Sequence, residues 1–331
     1  MDMEKKYALI DLHLHLDGSL SLHSVKKLAA MQKIEIPDND EMLREMLQVS
    51  EGCRDLNEYL EKFDFPCSLM QTEAGITAAV QHLEEELAAQ GLLYAEIRFA
   101  PQLHTLKGMT QRQVVEAAVS GMGKSVLKSN LILCCMRGKD NHVENLETIR
   151  VAKGFLGKGV GAVDLAGAEA LFPTEDFADL FALAKELEIP YTIHAGEAAG
   201  SESVYKALEF GAKRIGHGVR SIADGELLQR LAEERITLEL CPTSNLNTNI
   251  FERYEKYPLR KLMDAGVKVT INTDNMTVSN TTVAAELKHL IEALHLTEKE
   301  LLQLVQNAAE ASFANEKTKQ WLKEEIKKRV A

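Results

Sequence analysis

The chain lacks paired cysteines, clustered positive charge and any long apolar run, and each lack removes a class of protein. Its five cysteines, Cys53, Cys67, Cys134, Cys135 and Cys241, are odd in number, scattered and free of Cys-x-x-Cys spacing. Neither a disulfide framework nor a thiolate zinc site is expected. Nowhere do ~18 uncharged apolar residues run together, and the opening "MDMEKKYALIDLH" has no apolar stretch of signal-peptide type. A cytoplasmic protein with no membrane partner is expected. The formal net charge is −12, and the one basic cluster is "EEIKKRV" near the C-terminal end. Such a surface repels phosphate backbones, so nucleic acid is not an expected partner.

What is present reads as a large folded domain. The 331 residues, 45% hydrophobic and 27% charged, suffice for one sizeable core. Eight short β-rich runs recur: "YALIDLHLHL", "LLYAEIRFAP", "SNLILCCMRG", "VGAVDLAG", "PYTIHAGE", "RIGHGV", "ITLELCPTS" and "KVTINTD". Helix-period segments such as "TEDFADLFALAKELE" and "DGELLQRLAEE" lie between them. Strand and helix in alternation predict an α/β fold of the (β/α)8 barrel type, one domain spanning 1–331. The final helix is expected to open at Thr297, with Glu300 completing a capping box. One connection is anomalous, because about 75 residues separate the first run from the second, far more than a crossover needs. This insertion, roughly 20–90, carries the helical segments "DLNEYLEKFDF" and "TEAGITAAVQHLEEELAAQG" and is expected to form a lid or extra outer packing.

The histidines fall where strands end. His13 and His15 are two apart, so on a strand both point to one face, while Leu12, Leu14 and Leu16 face the opposite way. Alone, such a pair serves packing or metal binding equally well. "TIHAGE" puts His194 and Glu197 at the end of the fifth strand, "IGHG" puts His217 at the end of the sixth, and "TINTDN" puts Asp274 and Asn275 at the end of the eighth. In a barrel these ends meet at one rim. Independent core histidines have no reason to collect there, and a metal site is the expectation.

The ordered set "HLHLDGSL", "EYLEKFD", "YAEIRFAPQ", "VDLAG", "HAGE", "IGHG" and "INTDN" resembles the adenosine deaminase family over nearly the whole chain. The resemblance implies one zinc ion per chain on His13, His15, His194 and Asp274. It implies Glu197 as proton donor to the purine and His217 as partner of the attacking water. Asp17 and Gly167 match positions that contact ribose and purine, beside His15, and Tyr59, Leu60 and Phe63 match an apolar wall over the substrate. The implied partner is a small nucleoside, adenosine or 2′-deoxyadenosine, converted to inosine with release of ammonia.

Two positions depart from the family pattern. Asn275 stands where many members have a second Asp, and "LAGAE" has Ala168 where "LAGDE" is common. "CPTSN" at Cys241 lacks the second cysteine of the cytidine-type zinc deaminases, so that class is not supported. Two other readings stay open at this point: a deaminase of adenine or another adenosine-like purine on the same fold, and a catalytically silent nucleoside-binding barrel. Glu197, His217 and an open metal position argue against the silent barrel, because a structural site would be closed.

Overall fold

Each of the eight β-rich runs forms a strand in the computed structural model, which describes residues 7–50 and 52–330. The expected domain span of 1–331 extends at both ends beyond the described residues. The strands are β1 (Leu9–His15), β2 (Leu92–Phe99), β3 (Lys128–Met136), β4 (Val160–Ala166), β5 (Thr192–Ala195), β6 (Arg214–His217), β7 (Thr237–Leu240) and β8 (Lys268–Ile271). All neighbours pair parallel, in the orders β1-β2-β3-β4 and β5-β6-β7-β8. Single parallel bridges join the two sheets at both seams, Val163 to Tyr191 and Leu14 to Asp274. The ring is thus the expected parallel barrel.

Parallel strands covered on both faces need apolar side chains outward and filled space inward. β1 shows both demands. Leu14 and Leu16 pack into the main layer beneath the helices, and Leu12 packs into a second cluster with Ala308 and Leu322. Asp11, His13 and His15 take the alternate positions, and Asp11 Oδ2 accepts from Thr273 Oγ1 at 2.6 Å.

The long β1–β2 connection contains α1 (Leu22–Gln32), α2 (Asp40–Leu47), α3 (Leu56–Leu60), α4 (Asp64–Ser68) and α5 (Glu73–Ala89). These divide by role. Ile76, Ala79, Val80, Leu83 and Leu87 of α5 are buried in the main core, so α5 is a helix of the outer ring. The short α3 and α4, joined by a 3-10 turn at Glu61–Phe63, lie at the barrel mouth. Asp55 starts α3 by accepting from Asn57 and Glu58 N–H, and the hydroxyl of the buried Tyr59 lies 2.7 Å from Ser279 Oγ, beyond β8. A helical turn from the insertion is thereby fastened to the segment that follows β8.

Later in the chain come α6 (Gln111–Gly121), α7 (His142–Phe155), α8 (Ala178–Glu186), α9 (Ser201–Glu209), α10 (Gly225–Glu233), α11 (Pro242–Asn247), α12 (Leu259–Asp264), α13 (Val283–Leu294), α14 (Glu298–Ala311) and α15 (Glu316–Val330). The capping box at Thr297 and Glu300 is present. It opens α14, however, and not the final helix. The sequence "EKTKQWLKEEIKKRV", whose basic end looked like a surface cluster, forms α15. Its few apolar residues suffice because Leu322 and Ile326 are buried against Ala8, Ile10 and Tyr94. Burial of each is worth about 1.5–3 kcal/mol. No helix among the described residues is long and apolar enough to cross a membrane.

Candidate active site

The strand C-terminal ends carry the site. His13 and His15 close β1, His194 lies in β5, His217 ends β6, and Asp274 follows β8. His217 and Asp274 both adopt left-handed backbone, φ 57° and 61°. A non-glycine residue there costs roughly 1–2 kcal/mol. Two hydrogen bonds hold Asp274 in place, its N–H donating to His13 O and its carbonyl accepting from His15 N–H, each at 2.7 Å. Gly216 explains how His13 fits beside β6, since a Cβ there would stand 3.1 Å from His13 Cε1.

One donor atom from each of His13, His15, His194 and Asp274 falls within 4.8 Å of the others. Nε2 of His13 and of His15 each lie 3.4 Å from Asp274 Oδ1, and the Nε2 atoms of His15 and His194 are 3.4 Å apart. His13 Nε2 is buried without a hydrogen-bond partner. An unpartnered imidazole nitrogen facing a carboxylate and two more imidazoles fits a divalent ion of zinc type. A second set, His13, His217, Cys241 and Asp274, is equally compact. Burial, with the Asp274 charge, pushes the Cys241 thiol well above its usual range, and its Sγ–H donates to Glu239 O at 3.5 Å. The Cys241 thiol already has a backbone partner, whereas the first set brings three imidazoles and a carboxylate together and is the better cradle for a zinc-type ion.

The remaining predicted residues surround the same space. A cavity of about 400 Å³ is lined by His15, Asp17, Gly167, Glu197, His217 and Asn275, with Tyr59, Leu60 and Phe63 on one wall. His13 lies beneath it, fully buried. Glu197 Oε2 lies 3.5 Å from His217 Nε2, and Glu197 Oε1 has no partner. Burial pushes the Glu197 carboxyl well above the usual range, and Asp274 and Glu169 push it further against Arg137 and Arg220. Burial holds His15 and His217 well below the usual imidazole range, hence neutral. It also raises Asp17 to about 6. Burial opposes ionisation of Asp274, but the hydrogen bond and charge of His13 outweigh it and hold that carboxyl low.

Sequence reasoning missed the supports beneath the site. Arg98 Nη1 donates to Asp164 Oδ2, and Arg98 Nη2 donates to Glu239 Oε2, both at 2.8 Å. Glu239 Oε2 also meets His13 Nδ1, and Asp164 Oδ2 meets His194 Nδ1, both at 2.9 Å. Arg214 Nε donates to Glu239 Oε1 at 2.6 Å. One buried ionic network thus sits behind two of the imidazoles. Breaking such a network by removing one partner typically costs about 3–5 kcal/mol. α11 supplies the rest: Ser244 Oγ donates to Asp274 Oδ2 at 2.6 Å, and Asn245 Nδ2 donates to His217 Nδ1 at 3.1 Å. Cys241 is fully buried at the head of this helix, with Pro242 as its first residue. Charged residues inside otherwise apolar runs, Glu96 and Arg98 in "EIRFA", Asp164 in "VDLAG" and Glu239 in "LEL", were the available signal.

The fold and site together define an eight-stranded parallel barrel with a candidate metal cradle and a buried acid at its rim. The family model described as adenosine deaminase matches residues 8–329. The chain is 47% identical to adenosine deaminase of Haemophilus ducreyi over 98% of this chain and 97% of that protein. It is 41% identical to adenosine deaminase of Clostridium botulinum over 99% of both chains. Among solved structures, adenine deaminase from Arthrobacter aurescens superposes with a TM-score of 0.87 at 27% identity, over 98% of this chain and 99% of that one. The chain belongs to the adenosine deaminase family.

Proposed function

We infer that this chain hydrolyses adenosine, and 2′-deoxyadenosine, to the 6-oxopurine nucleoside with release of ammonia. The observation that carries the reading is the meeting of three imidazoles, Asp274 and the buried Glu197 carboxyl at one cavity. His13, His15, His194 and Asp274 are the residues that would hold one zinc ion, whose chemistry when bound is to make water nucleophilic near neutral pH.

The chain's own groups do the rest. Attack on the amino-bearing carbon drives electrons onto the adjacent ring nitrogen, which must then gain a proton. Glu197 supplies it, because burial, with the charges of Asp274 and Glu169, pushes that carboxyl well above its usual range and favours the protonated form. With Nδ1 accepting from Asn245, the neutral His217 ring carries its proton on Nε2 and donates it toward the attacking oxygen. Ser244 orients Asp274 by its hydrogen bond to Oδ2. Of the two protons of the attacking water, one goes to the departing amino group and one back to Glu197, so collapse of the adduct expels ammonia, leaves the 6-oxopurine with its ring N–H and restores the acid.

Selectivity rests on the walls. Asp17 Oδ1 is buried and unpartnered, an acceptor suited to a sugar hydroxyl. Among the described residues the cavity lining includes Asp17 and Asp64 but no Lys or Arg, which favours a nucleoside over a nucleotide phosphate. Tyr59, Leu60 and Phe63 of the insertion are assigned the apolar cover, Gly167 and Asn275 the purine contacts. Five unpaired cysteines suit a reducing cytoplasm, and conversion of adenosine to inosine suits a role in purine salvage. The test is an absorbance assay of zinc-loaded protein with adenosine, deoxyadenosine, adenine and AMP. Turnover of adenine alone would select the free-base reading, and no turnover would select the silent binder.

A further inference from the structure

In the loop after β5, four successive backbone N–H groups turn toward a single side chain. Gly196 N–H donates to Glu169 Oε1 at 2.7 Å, and the N–H groups of Glu197, Ala198 and Ala199 donate to Oε2 at 3.0, 2.7 and 3.0 Å. Ser203 Oγ, in the first turn of α9, donates to Oε1 at 2.5 Å. Glu169 is 2% exposed and forms no ion pair within 4 Å among the described residues. Arg137 attracts Glu169 without contacting it; an acid buried without a contacting cation is expensive unless its hydrogen bonds are numerous, and here all five come from one loop and the helix that follows.

The same loop carries Glu197. Its peptide is gripped at both ends, by Glu169 at its N–H and by Arg220, whose Nε donates to Glu197 O at 2.5 Å. The tip of the Glu197 side chain has no comparable hold, since Oε1 is unpartnered and Oε2 has only His217 at 3.5 Å. Its aim must therefore come from the backbone.

We propose that Glu169 is a positioning residue for the deamination, fixing the loop from Gly196 to Ala199 so that the Glu197 carboxyl points at the purine. The inference rests on the reading of Glu197 as the proton donor. Glu169 also adds negative charge near that carboxyl, alongside burial and Asp274 and against Arg137 and Arg220, which favours its protonated form. Ala168, the departure in "LAGAE", leaves this arrangement intact, since the acid that reaches the loop is the next residue.

The test is a double-mutant cycle on the zinc-loaded enzyme with adenosine, using Glu169→Gln, Glu197→Gln and the double variant. In Glu169→Gln an amide nitrogen replaces one acceptor and faces N–H donors. The expected result is a kcat lower by ~100-fold, the loss typical of a displaced catalytic group, with KM changed by less than about 3-fold and zinc stoichiometry retained. The double variant should be no slower than Glu197→Gln alone, because Glu169 acts through Glu197. Amide hydrogen exchange across residues 196–199 should quicken in Glu169→Gln. If Glu169→Gln does not fold, Ser203→Ala removes one bond to Oε1 and should lower kcat, but not KM, only while Glu197 is present. Near-wild-type kcat in Glu169→Gln beside a crippled Glu197→Gln, losses that multiply in the double variant, or an unaffected Ser203→Ala would overturn the proposal alone. An active Glu197→Gln would overturn the donor reading and the proposal with it.

Discussion

Glu239 Oε2 sits 2.9 Å from His13 Nδ1, which leaves Nε2 of the same ring turned toward Asp274. The carboxylate fixes which nitrogen is free, and it is itself fixed by Arg98 and Arg214. Orientation of a metal-binding imidazole is thus set inside the barrel, one layer below the rim. Replacing Glu239 by Gln should weaken zinc affinity by ~10–100-fold, the usual effect of losing such a support. Competition with a chromophoric chelator measures this directly. An unchanged dissociation constant would mean that the buried network stabilises the fold and does not tune the metal.

Glu197 lies close to the cradle but is not part of it. Glu197→Gln should therefore bind zinc stoichiometrically while kcat falls by at least ~100-fold, as expected for loss of a general acid. Near-normal turnover in that variant would place the proton donor elsewhere.

Asn275 packs against Gly18 so closely that a Cβ on Gly18 would lie 1.9 Å from Asn275 Oδ1. Gly18→Ala must push the amide out of position. If Asn275 contacts the purine, Gly18→Ala and Asn275→Ala should both raise the Michaelis constant for adenosine, by the ~1–3 kcal/mol of an unmade buried hydrogen bond, or about 5- to 150-fold. Steady-state kinetics of the two variants check this. Unchanged values in both would remove Asn275 from the substrate site.

The strand-by-strand order of the barrel was legible because each strand is a short apolar run bounded by turn residues, and the rim residues because histidines are rare inside such runs. The alternation of Leu12, Leu14 and Leu16 against His13 and His15 already stated which face was which. The supports were illegible for a physical reason. Arg98, Asp164 and Glu239 come from β2, β4 and β7, and only closure of the ring brings each carboxylate to 2.8 Å from the Arg98 guanidinium. Glu169 was hidden similarly, since its partners are backbone groups that carry no sequence signature. The final helix was missed because its buried face is only a few residues wide.

Glu286 offers a test of stability. Burial raises its carboxyl from 4.5 to about 7, although Thr243 N–H and the Thr281 hydroxyl both donate to it. The folded state therefore holds this proton more tightly than the unfolded state, and stability falls as pH rises from about 4.5 to about 7. Glu286→Gln cannot ionise, so its unfolding free energy relative to wild type should increase across that window by on the order of 1–3 kcal/mol. Urea denaturation at pH 5 and pH 8 measures the difference. A gap that does not change with pH would show that Glu286 is not protonated in the native state.

The most direct test of the account is catalytic efficiency of the zinc-loaded protein toward adenosine and AMP, followed by the absorbance change on deamination. A cavity walled by Asp17 and Asp64, with no lysine or arginine, should turn adenosine into inosine and disfavour AMP by at least ~10-fold, since charge repulsion at short range is poorly screened. Equal efficiency for the two substrates, or no ammonia released from adenosine, would contradict it.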